Sequence, residues 1–575
     1  MNLNQSARKL FPAFIQSTEN LKPCRVFLSA SDMKTRAVTR HAVADNPADA
    51  WNAALEKLKV AFGSKKLFIL RADWVIETQS VTFEEFIRRV EKTRRNYFRH
   101  GLALDNFKIA FTESEINGNA LLFKDGKEGS GNGIFRPDRF EEYCKIRFDC
   151  SFPVLEPSDF VEIFTTAGVF ISEEEPKPLP INANGIAAGH RAISHLDSEI
   201  ILNLARSGAR YLARQVQPSG RFIYGHWPCF DKNVPNYNTL RHFSSIFAML
   251  DVYSTYRMGE MKIGGAITRA IKYGVKNFIK YRTLPDGTEA AYVYEPDANE
   301  IKLGALGLML IMLVKHAELM KTKKYYPLME SVARAIFTMQ KTDGSFVHVL
   351  NANDFSVKEE FRIVYYDGEA IFGLMRLYSI NHDELLLQAS ERAFKKFIDS
   401  DHWKNHDHWL SYSVNELTLY KPAREYFEFG INNFLGFLPF IYHRDTQFPT
   451  LLELMMAADS MLERMKTMPE LADLLAKVPL EDFYSALEAR AKNMMSGFFY
   501  PELAMFFKRP ESIVGGFFIR HHGFRVRIDD VEHFLSGFVA YRRYLARRTH
   551  EPQPSEKLLN GKAEGTGLFN IQIGN

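Results

Sequence analysis

The feature that most constrains this chain is an alternation of two kinds of helical segment running from about Ser194 to the mid-540s. One kind is amphipathic with a charged face, as in LDSEIILNLARSGARYLARQV with Arg206, Arg210 and Arg214, or ELLLQASERAFKKFI with Arg392, Lys395 and Lys396. The other is apolar nearly all round, as in GALGLMLIML. A helix buried on every side belongs inside a molecule and an amphipathic one outside, so the alternation predicts an inner and an outer layer of helices.

A repeating turn reinforces this reading. Gln217-Pro-Ser-Gly-Arg-Phe222, Pro285-Asp286-Gly-Thr-Glu289 with Tyr292, and Lys341-Thr-Asp343-Gly-Ser-Phe346 each follow an outer segment and precede an inner one, and His406-Asp-His-Trp409 takes the equivalent place, at a spacing of about 60 residues. That is one helical hairpin with its loops. The glycine permits a tight turn and the aromatic after it plugs the turn onto the helices. Five or six such hairpins fit, and six close a ring.

The first 175 residues read differently. CRVFLSA, KLFILRADWVIET, FKIAFTES and NALLFK have strand character, while PADAWNAALEKLKVAF and TFEEFIRRVEKTRRNYF have helical spacing. The expected organisation is an α+β domain over 1–175, a linker over 176–193 rich in proline and charge, an all-α toroid over 194–548 and a tail over 549–575. A length of 575 residues suits such a multidomain chain.

Composition excludes some functions. With 73 basic against 69 acidic residues the net charge is +4, so no polyanionic partner is demanded and nucleic acid is disfavoured. No secretory leader or membrane span is apparent, and the chain reads as soluble and cytoplasmic. Cys24, Cys144, Cys150 and Cys229 form no CxxC pair and are expected to be reduced. The basic run from Arg88 to His100 reads first as a solvated helix face and second as a contact for an acidic ligand or partner.

The turn motif and the polar openings of the inner helices resemble the six-hairpin glycosidase-like and N-acylglucosamine-2-epimerase-like toroids, over roughly 194–548. The resemblance implies an (α/α)6 ring acting on carbohydrate, as a hydrolase, lyase or epimerase, with its site where inner-helix N-termini meet the loops. Tyr224-Gly-His-Trp-Pro-Cys229 and His521-His522-Gly523 faintly echo the zinc motifs of lanthionine-cyclase toroids, but Cys229 is the sole cysteine after the linker, which argues against that family.

In such a ring the outer-to-inner loops share one face, so their polar residues converge. Tyr224, Trp227, Asn238, Arg241, Glu289, Glu425, Arg520 and Arg527 are the expected substrate contacts, because aromatics stack on sugar faces and charged groups bind hydroxyls and acids. For hydrolysis, Asp367 or Glu369 would pair with Asp529 or Asp530 as acid and base. For epimerisation or elimination, His242, His522 or Tyr366 would move the proton, with Arg241 stabilising the anion. Helix capping is the alternative for Asp367 and Asp529. His521, His522, Asp529, Asp530 and His533 fall within 13 residues, with Asp530 and His533 one helical turn apart, but ordinary polar loops carry such sets and no metal or cofactor is expected. The competing reading is a noncatalytic protein whose toroid holds a glycan or peptide while the N-terminal domain docks a partner protein.

Overall fold

The computed structural model describes residues 1–124, 131–193, 195–256 and 261–548. Six inner helices, Thr239–Tyr256, Leu303–Met320, Tyr365–Asn381, His408–Leu417, Thr450–Met465 and Ile528–Arg548, pack each on the next, and the sixth returns to the first, so the ring is closed. Six outer helices, Ser198–Gln215, Met261–Asn277, Tyr326–Met339, Glu384–Asp399, Arg424–Leu435 and Leu480–Met495, lie against them. The expected (α/α)6 toroid is the observed one. Helix Leu303–Met320 is long and apolar enough to cross a membrane by length and composition, but 72% of it is buried inside the molecule. The hydrophobicity of this helix is that of a core element.

The repeated turns are built alike. Gln217 N donates to the Arg221 carbonyl and Lys341 N to the Ser345 carbonyl, while Phe222 and Phe346 are buried beneath them. Gly220 and Gly344 have φ of 97° and 91°, and a Cβ on either would strike the carbonyl of Arg269 or Arg392 on the next outer helix. Only glycine meets both the left-handed backbone and the close approach.

Two departures from the helical reading matter for the site. Ile279–Thr283, Glu289–Glu295, Glu300–Lys302, Val349–Asn351 and Val357–Glu359 form a five-stranded antiparallel sheet, and Gly225–Trp227, Lys232–Asn233 and Val526–Arg527 a three-stranded one. Both sheets are made by the loops that enter the inner helices. Second, Arg424–Leu435 is an outer helix, and the fourth inner helix is the short His408–Leu417 before it.

The N-terminal part is an antiparallel sheet whose order is Val38–Ala44, Cys24–Ser31, Ile69–Thr82, Phe160–Ser172, Gly101–Leu104, Ile109–Phe111, with Leu179–Ile181 also paired to Phe160–Ser172. Helices Leu3–Thr18 and Pro47–Phe62 share one apolar cluster with it, and Phe83–Lys92 and Pro137–Phe148 another. Asn119–Lys124, read as a strand, is a turn: Thr112 and Glu115 form a capping box that starts helix Glu113–Gly118 and spends the preceding residues on a helix. The Cys144 and Cys150 sulfurs lie 3.7 Å apart as thiols.

Buried polar groups join the two parts. Arg71, paired with Asp73 at 2.8 Å, donates to the Glu502 carbonyl at 2.8 Å. Arg191 meets the Glu502 carboxylate at 2.8 Å, and Arg520 reaches Glu113 at 3.2 Å and the Asn96 carbonyl at 3.3 Å.

Candidate active site

The first turns of the inner helices carry charges into the ring. Arg241, in the first turn of Thr239–Tyr256, has a side chain 21% exposed and lies 3.4 Å from Asp529 on the sixth inner helix. Arg527 holds the same Asp529 at 3.0 Å and Asp530 at 3.2 Å, and Arg525 stands 3.7 Å from Asp530. Burial opposes ionisation of Asp529, but Arg527, Arg241 and Arg525 outweigh it and keep the carboxyl at about 2. Its Oδ1 is nonetheless buried with no hydrogen-bond partner among the described residues.

Glu369, the fifth residue of helix Tyr365–Asn381, is the opposite case. It is 1% exposed and its Oε2 has no partner among the described residues. Burial drives its pKa well above the ordinary carboxyl value, against the attraction of Arg241 and with the repulsion of Asp407 and Glu532. The carboxyl occupies space that exists because residue 304 lacks a side chain, since a Cβ there would come within 1.8 Å of Oε2. One carboxyl pulled down by guanidiniums and one pushed up by burial, both feeling Arg241, are two titratable groups whose environments drive their pKa values apart.

Around this pair stand Tyr224, Tyr365 and Tyr366, their hydroxyls pushed up by burial and neighbouring carboxylates and, for Tyr224 and Tyr366, held at about 12. Also near Arg241 are Glu453 on the fifth inner helix and His533 on the sixth, 2.7 Å apart, with His408 beside them. Outside, Arg94, Arg95 and Arg444 face His521 and His522, whose rings burial and these guanidiniums, with Arg525 and Arg527, hold neutral, His522 at about 3.

Of the residues singled out in the sequence, Arg241, Glu369, Arg527, Asp529, Asp530, Tyr224 and Tyr366 are brought together. Asn238 caps the first inner helix, its Oδ1 accepting from Arg241 N at 3.4 Å, and Trp227 lies beneath Arg525 at the rim. The others go elsewhere. His242 packs between helices, bonded to Tyr237 at 2.8 Å and to the Ala270 carbonyl at 2.9 Å, because its position on the helix turns it away from the ring. Asp367 points into the loop shell, 3.1 Å from His348 and 3.4 Å from His402. Arg520 serves the junction with the N-terminal part, and His522 bonds Arg525 at 3.1 Å at the outer rim. Glu289 is exposed at a strand end, and Glu425 is exposed on an outer helix, since the segment that carries it is not an inner one. The His521 to His533 set is split, His533 turning inward to Glu453 and the histidine pair staying at the rim.

The residues the sequence reading passed over are Glu453, Glu532 and Asp407. A carboxylate inside an all-apolar run, as in LLELMM, was the available signal, because a charge on a helix buried all round must face a partner or a site.

The fold and site define an (α/α)6 toroid, joined to an antiparallel α+β part, with acid/base groups inside the ring. No family model matches the chain, and no curated protein matches it in sequence. Among solved structures the helical part is similar to the cellobiose 2-epimerase of Bacillus thermoamylovorans B4167, at 10% identity over 60% of this chain and 100% of that one, with a TM-score of 0.45. It is similar to a D-mannose isomerase at 9% identity, 61% and 100% coverage and a TM-score of 0.47. The unsaturated glucuronyl hydrolase of Bacillus sp. GL1 follows at 11% identity, 60% and 97% coverage and a TM-score of 0.44.

Proposed function

We propose that this chain is an enzyme that transfers protons on a saccharide or glycan precursor bearing an acidic group, inside the toroid mouth. The observation that carries the reading is the pair of buried carboxyls near Arg241, each with an oxygen lacking a partner among the described residues, the Asp529 pKa drawn down by guanidiniums and that of Glu369 driven up by burial. Asp529 takes a proton from a sugar carbon or from an attacking water. Glu369 delivers one to the oxygen that leaves or to the opposite face. Arg241 stabilises the negative charge that develops between them. The acidic substrate is supported by the rim, where Arg94, Arg95, Arg444 and Arg525 surround neutral histidines.

The test is a thermal-shift screen of the whole protein against uronic acids, sugar phosphates and neutral oligosaccharides, followed by product analysis in deuterated water. An acidic sugar at 100 times its Kd adds about 2.7 kcal/mol of stability. That shift should vanish in Arg241→Ala. Deuterium at a sugar carbon identifies epimerisation or elimination, and a new reducing end identifies hydrolysis. Stabilisation with no product under any condition points to the binding-protein reading, and stabilisation by neutral sugars alone removes the acidic-substrate claim.

A further inference from the structure

Near Arg241, three consecutive inner helices each contribute one donor to a single point. One ligand atom each of His408, Glu453 and His533 lie within 4.8 Å of one another, and all three residues are buried. We infer that this cluster binds a divalent transition metal of the zinc class. His408 carries the argument. Its Nδ1 lies 3.0 Å from the Asp407 carboxylate without a hydrogen bond to it, and among the described residues both that Asp407 oxygen and the His408 Nε2 are buried with no partner. A buried imidazole with a bare nitrogen, facing a second histidine and a carboxylate, presents the donor set that a transition metal takes. An apolar core has no use for a bare nitrogen.

The supporting groups fit the same purpose. Tyr412 holds the Glu453 Oε1 at 3.3 Å, and Glu532 stands 3.4 Å from His533. Two imidazoles and one carboxylate are borderline donors, suited to zinc or cobalt rather than to magnesium or calcium, which prefer all-oxygen shells. Three protein ligands leave a fourth position open, the mark of a site that meets solvent or substrate rather than a closed structural one. Donors 4.8 Å apart close by small rotamer changes onto bonds of roughly 2.0–2.2 Å. The 2.7 Å bond between His533 and Glu453 gives way to metal coordination by both. The inference does not depend on the substrate or on the roles of Glu369 and Asp529.

The experiment uses the full chain stripped with a chelator and titrated with cobalt(II), followed by competition with zinc. One equivalent of cobalt is expected, with visible absorption of a low-coordinate site, displaced by zinc and accompanied by a rise in Tm. His408→Gln and Glu453→Gln should each weaken binding at least about 100-fold, whereas His443→Gln on the surface should not. Because core variants can misfold, X-ray absorption of the zinc-loaded wild type provides a second readout, with nitrogen and oxygen neighbours and imidazole scattering expected. No stoichiometric binding, sulfur in the shell, or unchanged affinity in a folded His408→Gln would overturn the assignment and leave the cluster a hydrogen-bonded core triad.

Discussion

Two clusters of histidine and carboxylate stand on opposite sides of the inner helices, and they differ in how completely they are satisfied. In the loop shell, Asp367 spends one oxygen on His348 and the other on His402, and His348 Nδ1 accepts from the backbone of Arg362 at 3.1 Å and Ile363 at 3.3 Å. Those hydrogen bonds, chiefly from His348, outweigh burial and lower the Asp367 pKa. Inside the ring, Glu369, Asp529, Glu532 and His408 each keep a buried atom with no hydrogen-bond partner among the described residues. The same residue types tie loops together in one place and wait for a ligand in the other. What separates scaffold from site here is unmet hydrogen-bonding capacity rather than composition.

Five substitutions or conditions break or sharpen this contrast. Asp367→Ala strips two histidines of their partner and should cost about 3–5 kcal/mol, seen as a lower urea midpoint, with per-molecule turnover of the folded fraction kept. Arg241→Ala should do the reverse, lowering kcat/KM by about 10²–10³ in steady-state assays while the urea midpoint moves far less. A shift of equal size in both properties for either variant erases the distinction.

Acid tests the scaffold again. Burial holds His242 at about 4, against a small opposing effect of the Ala270 carbonyl, where an unfolded chain has the ordinary 6.5. The unfolded state therefore gains the proton first, so this contribution is intact above pH 6.5 and is lost as pH falls toward 4, by on the order of 3 kcal/mol. Urea unfolding from pH 7 to 4 measures it, and a His242→Gln variant should show a shallower loss.

Gly304→Ala should push the Glu369 carboxyl off its seat at a cost of about 1–3 kcal/mol, lowering turnover more than it lowers Tm. Glu425→Ala, on the outer surface, should change stability by less than about 0.5 kcal/mol and leave turnover alone. An effect there as large as that of Arg241 would relocate the site to the outer face.

Much of this was legible in the sequence because it is locally encoded. Helices Pro47–Phe62 and Thr239–Tyr256 begin and end at the residues their periodicity indicates, and the Gly220 and Gly344 turns announce their hairpins. The phase of the ring slipped at the fourth hairpin. His408–Leu417 is only 10 residues long and opens on polar residues, whereas REYFEF has the apolar spacing of a buried element, so Glu425 was assigned to the mouth. The strand alternation in AAYVYE was overshadowed by its helical neighbours, and tertiary pairing settled it as Glu289–Glu295. The site itself was half legible. Arg241, Glu369 and Asp529 stand near polar loops, where they are noticed, but Glu453 sits in an apolar run, and it and Glu532 meet the others only when the ring closes.

The polar seam between the two parts also sets an order of events during synthesis. The guanidinium of Arg71 finds a backbone acceptor 431 residues later, and Ala37 N donates at 2.7 Å to the carbonyl of Met505. The antiparallel sheet leaves the ribosome first yet lacks those acceptors until the sixth hairpin has emerged. Contacts of such long sequence separation are slow to form. Until then Arg71 keeps only its local partner Asp73, two residues along the same strand, so a chain halted before Glu502 is expected to leave the seam unsealed.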